Sequence, residues 1–254
     1  MDDGTYGGRA RPEPAFELRH GLSTGAPRRE VKFFLSGTDV GKVQSILNTN
    51  CSLAGTTHVS SLVTSIYFDD ASLGSYHENL EGTGERVKVR LRWYDEGDRR
   101  FFFEMKRRTF SRSVKDRLEV CSSIPLMALE YRTILARLRD VLPESCRERL
   151  VTRPSPVLIS QYRRRYYVAA DRRFRVTLDS ELRWYDQCGK ARPSLRFAAR
   201  LPRLAILELK SAEPNDDTIG ELLYPLRLRP TRSSKYVVGC QQLGLVSDTR
   251  GSLS

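Results

Sequence analysis

The 254-residue sequence holds only three histidines and five cysteines. Cys51, Cys121, Cys146, Cys188 and Cys240 are odd in number and scattered, with no C-x-x-C pair and no Cys/His cluster. That spacing argues against a zinc site and reads as reduced thiols in a cytosolic protein. His20, His58 and His77 are isolated, which suits structural rather than catalytic roles. No apolar run approaches a membrane span, and the N-terminus has no apolar signal region, so the expectation is a cytoplasmic chain without a transmembrane segment. Acidic charge is also short: 31 Asp and Glu stand against 43 Lys and Arg, a formal net charge of +12. Such an excess implies anionic partners, whether nucleic acid, nucleotides, polyphosphate or acidic lipid.

One stretch organises the rest. In Glu85 to Tyr94, ERVKVRLRWY, the cations Arg86, Lys88, Arg90 and Arg92 alternate with Val87, Val89, Leu91 and Trp93. A strand turns alternate side chains to opposite faces, so this segment has one cationic and one apolar face. A solvated edge strand would also carry such charges. The pattern recurs, however. Arg99 to Arg108 and Ser113 to Val120 follow as charged-faced strands, the second with Lys115, Arg117 and Glu119 on one side.

Residues 1–27 are rich in Gly, Pro and charge and are expected to form a disordered leader. A first strand spans Arg28 to Leu35, with Glu30 and Lys32 on one face, and a helix spans Val40 to Leu47. Leu62 to Phe68 is a strand. Glu81 to Gly84 lacks the P-loop lysine spacing and reads as a turn. Pro125 to Arg149 has helical period with a break near Pro143. Val157 to Ala169, Phe174 to Tyr185 and Leu204 to Ser211 are strands, the last with Glu208 and Lys210 on one face. Residues 186–203 form a basic, irregular connection, 216–226 fit a helix, and Ser233 to Leu243 fits a capped terminal helix. Residues 247–254 form a polar tail. The fold class is α+β. About eight mostly antiparallel strands, charged on one face and apolar on the other, fit a closed barrel with a charged lumen and helices packed outside.

The ordered motifs are R-x-E-x-K at Arg28 to Lys32, S-I-Y-F-D at Ser65 to Asp69, R-L-R-W-Y at Arg90 to Tyr94 and E-x-K at Glu104 to Lys106. They continue with S-V-K-x-R at Ser113 to Arg117, Y-x-R at Tyr162 to Arg164, R-V-x-L-D-x-E-L at Arg175 to Leu182, L-E-L-K at Leu207 to Lys210 and S-K-Y at Ser234 to Tyr236. Together they resemble the VTC (vacuolar transporter chaperone) domain of the triphosphate tunnel metalloenzyme superfamily, over a domain of residues 28–246. The resemblance implies an eight-stranded tunnel that binds a triphosphate and a divalent metal, manganese or magnesium. It implies polymerisation of polyphosphate from ATP with release of ADP.

The resemblance further implies that Arg90, Arg92, Lys106, Arg164 and Arg175 grip phosphates as the catalytic set. Lys32, Lys115 and Lys235 add charge, with Ser234 as a hydrogen-bond donor. Arg86, Lys88 and Lys210 complete the substrate-binding set, Arg86 or Lys88 standing in for an arginine where this chain has Asn79. Glu208 is the implied metal ligand. Glu30, Glu104 and Glu119 have two readings, metal ligand or charge balance. Aromatics fall mostly opposite the cations, which argues against specific nucleic-acid binding. The residues fit a polymerase, a triphosphatase on the same tunnel, or a polyphosphate-binding module. Polymerase and triphosphatase differ in whether a phosphate chain or water reaches the phosphorus.

Overall fold

The computed structural model describes residues 15–20, 29–53, 60–95, 97–110, 112–169, 174–201, 203–211, 224, 228–231 and 234–246. Eleven strands form one sheet, and every paired neighbour is antiparallel. They are β1 (Phe16–His20), β2 (Arg29–Ser36), β3 (Cys51–Leu53), β4 (Ser61–Asp69), β5 (Glu85–Tyr94) and β6 (Arg100–Thr109). They continue as β7 (Arg112–Ser122), β8 (Ser155–Ala169), β9 (Phe174–Asp186), β10 (Ala199–Arg200) and β11 (Leu204–Ser211). The order is β1-β7-β6-β5-β4-β8-β9-β11-β2, with β3 on β8 and β10 on β9.

Two expectations are corrected and one alternative is excluded. The sheet has eleven strands rather than eight, and its ends, β1 and β2, do not pair, so the barrel is not closed by hydrogen bonds. Residues 1–27 were expected to be a disordered leader, but Phe16–His20 forms β1 against β7, with Phe16 buried against Phe101 at a ring distance of 5.3 Å. The edge-strand reading of the basic stretch also fails, because β5 lies between β4 and β6. The helix expected at 216–226 lies outside the described residues apart from Tyr224.

The sheet is nevertheless strongly curled. Six steps along the strand order separate β6 from β2, which in a flat sheet is about 29 Å. Yet Lys106 Nζ on β6 stands 3.5 Å from a Glu30 carboxylate oxygen on β2. Side chains thus meet across the concave face although the backbone leaves the sheet open.

Alternation explains the two faces. The apolar side of β5 and β6 (Val89, Leu91, Trp93, Phe101, Phe103, Met105) packs outward on helices α3 (Tyr131–Val141) and α4 (Glu144–Thr152) through Ile134, Leu138 and Leu150. Those helices separate at Pro143, since the residue before proline is pushed to extended backbone and Leu142 takes φ −76°, ψ 144°. A second outer core joins Phe33, Leu35, Val176, Leu178, Leu207 and Leu209 to α1 (Asp39–Asn50) through Val43 and Leu47.

The terminal helix, α5 (Lys235–Gln242), departs from the expectation that helices pack outside. Ile66 and Phe68 point to the outer core, so Val63, Ser65 and Tyr67 face inward. Tyr236 of α5 stacks on Tyr67 with ring centroids 5.3 Å apart. Leu182, Trp184, Ile206 and Cys240 join them, with Tyr76 of α2 (Gly74–Glu81), in an apolar plug on the inner face. Gly239 permits this close approach: a Cβ there would lie 2.4 Å from Trp184 Cδ1. The plug is tied to the sheet by the buried Asp69, whose Oδ2 accepts a 2.6 Å hydrogen bond from the Tyr236 hydroxyl. Asp69 also accepts from the Ser75 amide of α2.

Candidate functional site

Register places the inner-face cations in rows. Across β5, β6 and β7, Lys88 stands beside Lys106 and Lys106 beside Lys115. One row on, Tyr67, Arg90, Glu104 and Arg117 lie side by side. The next row holds Ser65, Arg92, Phe102 and Glu119. On the other flank, Arg164 faces Asp179, Thr177 and Lys32 flank Glu208, and Arg175 and Glu30 flank Lys210. The N-terminus of α5 completes the wall: Lys88 Nζ donates to Ser234 Oγ at 2.9 Å, and Lys235 Nζ reaches Asp179 at 2.5 Å.

Four carboxylates balance these cations. Glu104, 2% exposed, is enclosed by Arg90 at 2.6 Å, Lys115 at 2.6 Å, Arg117 at 3.4 Å and Arg92 at 3.6 Å. Burial alone would raise its pKa, but Arg90, Arg92 and Lys115 hold it well below the usual carboxylate range. These are the surroundings of a charge-balancing carboxylate. Asp179 takes a forked hydrogen bond from Arg164, at 2.6 and 2.8 Å, and is likewise held low against its burial by Arg164 and Lys235. Glu208 pairs with Lys210 at 2.7 Å and lies 3.9 Å from Arg164; Lys32, Lys210 and Arg164 outweigh its burial and hold it well down. Glu30 pairs with Lys32 at 2.5 Å.

Like charges side by side on a sheet repel, and the lysine row shows the result. Burial, then Lys32, Lys106 and Arg90, push the Lys88 amine well below its ordinary value. Burial and Lys32 also lower Lys106, although Glu30 pulls the other way. Lys115 is lowered to about 8, by burial first and by Arg90 and Arg92, with Glu104 opposing. Lys115, lowered to about 8, therefore gives up its proton in mildly alkaline solution, and an arriving polyanion restores it. Affinity for tripolyphosphate, corrected for the ligand's own last ionisation, should fall several-fold between about pH 7.5 and 9.5. Calorimetry in two buffers of different ionisation enthalpy should register proton uptake on binding. A flat affinity across that range would contradict the assignment.

Each residue singled out in the sequence can now be placed. Lys32, Lys88, Arg90, Arg92, Lys106, Lys115, Arg164, Glu208, Lys210, Ser234 and Lys235 share the inner wall with Glu30 and Glu104. Arg86 lies one row beyond Lys88, next to Arg108. Arg175 is on the same face but exposed, at the outer end of β9. Glu119 is bonded to Arg100 at 2.5 Å, beyond Phe102, and is not brought to Glu208 and Glu30. Glu181 leaves the alternation expected for its strand. A bulge lies there, Glu181 takes φ +55°, and its carboxylate pairs with Arg163 at 3.3 Å.

Several supporting groups lie in the quoted motifs but were given no role there. Tyr67 accepts a hydrogen bond from Arg90 at 3.1 Å, and Ser65 accepts one from Arg92 at 3.0 Å. The Tyr162 ring lies 4.5 Å from Lys235 Nζ and 5.4 Å from the Arg164 guanidinium. Inward-facing polar residues on strands adjoining a basic strand are the pattern that would have found them.

A divalent cation fits the donor chemistry at one place. Glu30 lies diagonally across the β2–β11 pair from Glu208, and Lys32, Lys106 and Lys210 hold its pKa low against burial and the opposing charge of Glu208. Among the described residues no group of three or more ligating side chains gathers. Two carboxylates suit magnesium or manganese, which complete their coordination with water and substrate phosphate oxygens.

The site is a curled antiparallel sheet with a wall of arginine and lysine on its concave face. One solved structure supports the fold. A putative adenylate cyclase from Bacillus halodurans aligns at TM-score 0.51 and 12% identity, over 82% of this chain and 93% of that one. A putative adenylyl cyclase from Hippeastrum, described as having a dominant triphosphatase activity, aligns at TM-score 0.44 and 16% identity, over 85% and 96%. The PH1819 protein of Pyrococcus horikoshii aligns at TM-score 0.44 and 12% identity, over 84% and 99%. No curated protein sequence matches the chain. The chain belongs to the VTC domain family, whose model matches residues 27–244.

Among the described residues no helix is long and apolar enough to cross a membrane.

Proposed function

We propose that this domain is a metal-dependent polyphosphate polymerase, transferring the γ-phosphoryl group of ATP to a growing phosphate chain and releasing ADP. The observation that supports it most is the extent of the cationic wall. Three successive rows on β5 to β7 face Arg164, Lys32 and Lys210 across the lumen, a lining longer than one phosphate needs. Membership of the VTC domain family supports the same reading.

In this reading Arg90, Arg92 and Arg164 fork onto phosphate oxygens, exchanging their carboxylate partners for the substrate. Lys106, Lys115, Lys88 and Lys32 neutralise charge along the chain, with Arg86, Lys210 and Arg175 extending the track and Ser234 and Lys235 closing it at α5. Glu208 and Glu30 would hold the metal, which supplies electrostatic stabilisation of the phosphate oxygens. Phosphoryl transfer is mostly a matter of positioning and charge. The acceptor phosphate is already anionic and needs no base. The carboxylates Glu104, Asp179 and Glu208, all held low, are correspondingly weak bases.

Hydrolysis is the second reading: the same rows of cations that would hold a phosphate chain would also hold a single triphosphate for attack by water. Incubation with γ-labelled ATP, manganese and short polyphosphate primers separates the two. Long labelled chains with equivalent ADP are expected, with loss of turnover on chelation and in Glu208→Gln. Labelled free phosphate alone would make the protein a triphosphatase. Tight polyphosphate binding with no turnover would make it a binding module.

A further inference from the structure

The connection from β9 to β11 carries a feature that the tunnel does not use. Residues 187–203 contain Lys190, Arg192, Arg196, Arg200 and Arg203 and no carboxylate. The connection is held firmly. The buried Gln187 side chain donates to the Ser194 carbonyl at 2.8 Å and accepts from the Ser194 amide at 2.9 Å. Tyr131 donates its hydroxyl to Gln187 at 2.8 Å and its amide to the Ala191 carbonyl at 2.8 Å. Farther on, β10 pairs with β9, while Ala198 and Leu201 pack against the cores.

Between these anchors Phe197 is 93% exposed and Leu195 is 40% exposed. Phe197 has φ +58°, a left-handed conformation that is unfavourable for a side chain with a Cβ. The chain thus holds a large aromatic in solvent, in a strained conformation, on a pinned loop. Lys190 donates to the Asp186 carbonyl and Arg192 pairs with Glu130 at 3.3 Å. Arg196, Arg200 and Arg203 are exposed, and no carboxylate among the described residues pairs with them.

We propose that this loop docks the protein on an anionic lipid surface, with Phe197 and Leu195 entering the interfacial region and Arg196, Arg200 and Arg203 meeting headgroups. Two exposed apolar side chains with three exposed arginines close by in the chain match the amphipathic chemistry of such a surface. A protein partner would call for a wider apolar core. The loop leaves β9 just beyond Trp184, which packs on α5, so it lies at the plugged end of the tunnel. Docked there, the protein keeps its cation rows clear of lipid phosphates. The inference is independent of the reaction proposed above.

Vesicle co-sedimentation tests it, with saturating tripolyphosphate present to fill the lumen. Binding to vesicles of about 30 mol% phosphatidylserine is expected, and none to phosphatidylcholine alone. Phe197→Ala, and separately Arg196→Glu with Arg200→Glu, should each cut binding at least about fivefold while tripolyphosphate affinity and melting temperature stay unchanged. In Phe197→Trp, tryptophan emission should shift to the blue only with the anionic vesicles. Absence of vesicle binding at low salt, or equal binding by wild type and the variants, would overturn the proposal. So would a protein partner that depends on Phe197 in a chain that ignores vesicles.

Discussion

Glu104→Gln should lower the melting temperature of the ligand-free protein by roughly 10 °C, and tripolyphosphate should recover most of that loss. Four cations converge on this one buried carboxylate. Removing one partner of a buried ionic cluster leaves uncompensated charge and costs about 3–5 kcal/mol. In a chain of this size, each kcal/mol moves the midpoint by about 2–4 °C. A polyanion in the lumen supplies the missing negative charge, so the variant should gain more from ligand than the wild type does. Thermal scans with and without tripolyphosphate measure both quantities. An unchanged midpoint would show that Glu104 is not the counter-charge of the tunnel, and so would a loss that ligand does not restore.

The second large effect is on binding. Arg90→Ala should weaken tripolyphosphate by about 100-fold or more while the melting temperature moves little. Arg90 presents a fork, now spent on Glu104 through Nε at 2.8 Å and a second nitrogen at 2.6 Å. Two charge-assisted hydrogen bonds to phosphate amount to about 3 kcal/mol, which is about a hundredfold in affinity. Glu104 keeps Arg92, Lys115 and Arg117 in the variant, so the fold keeps its balance. Arg90→Lys should fall between, because it restores the charge without the planar fork. Titration calorimetry of the three proteins decides the matter; equal affinities would remove Arg90 from the site.

Much of this architecture was legible because its signal is local. Alternation in ERVKVRLRWY assigns Arg90 and Arg92 to one face and Leu91 and Trp93 to the other without knowledge of any partner. The break at Pro143 is equally local. What escaped depends on distant pairing. Phe16–His20 is five residues in a leader dominated by glycine and charge, and it becomes a strand only because β7 offers an edge. The terminal helix shows an apolar stripe, but nothing in that stripe says which side of a sheet receives it. The two readings of Glu104 depended on register: only when Arg90 and Arg117 fall beside it does a carboxylate in E-x-K become the hub of four cations. Glu119, two residues farther along its strand from Arg117, looks equivalent in sequence and is drawn off by Arg100.

Under the proposed function, the self-paired lumen would make the tunnel a filter of valence. Each inner carboxylate is already satisfied by cations of its own wall, so an incoming anion gains only what it offers beyond Glu104, Asp179, Glu208 and Glu30. A singly charged ion can replace one of those links at a time and gains nothing by it. A condensed phosphate carries many charges on one flexible backbone and can replace several links together, paying the ordering entropy of association once. Discrimination between one phosphate and a chain of them then follows from counting charges per molecule, without any group that recognises chain length.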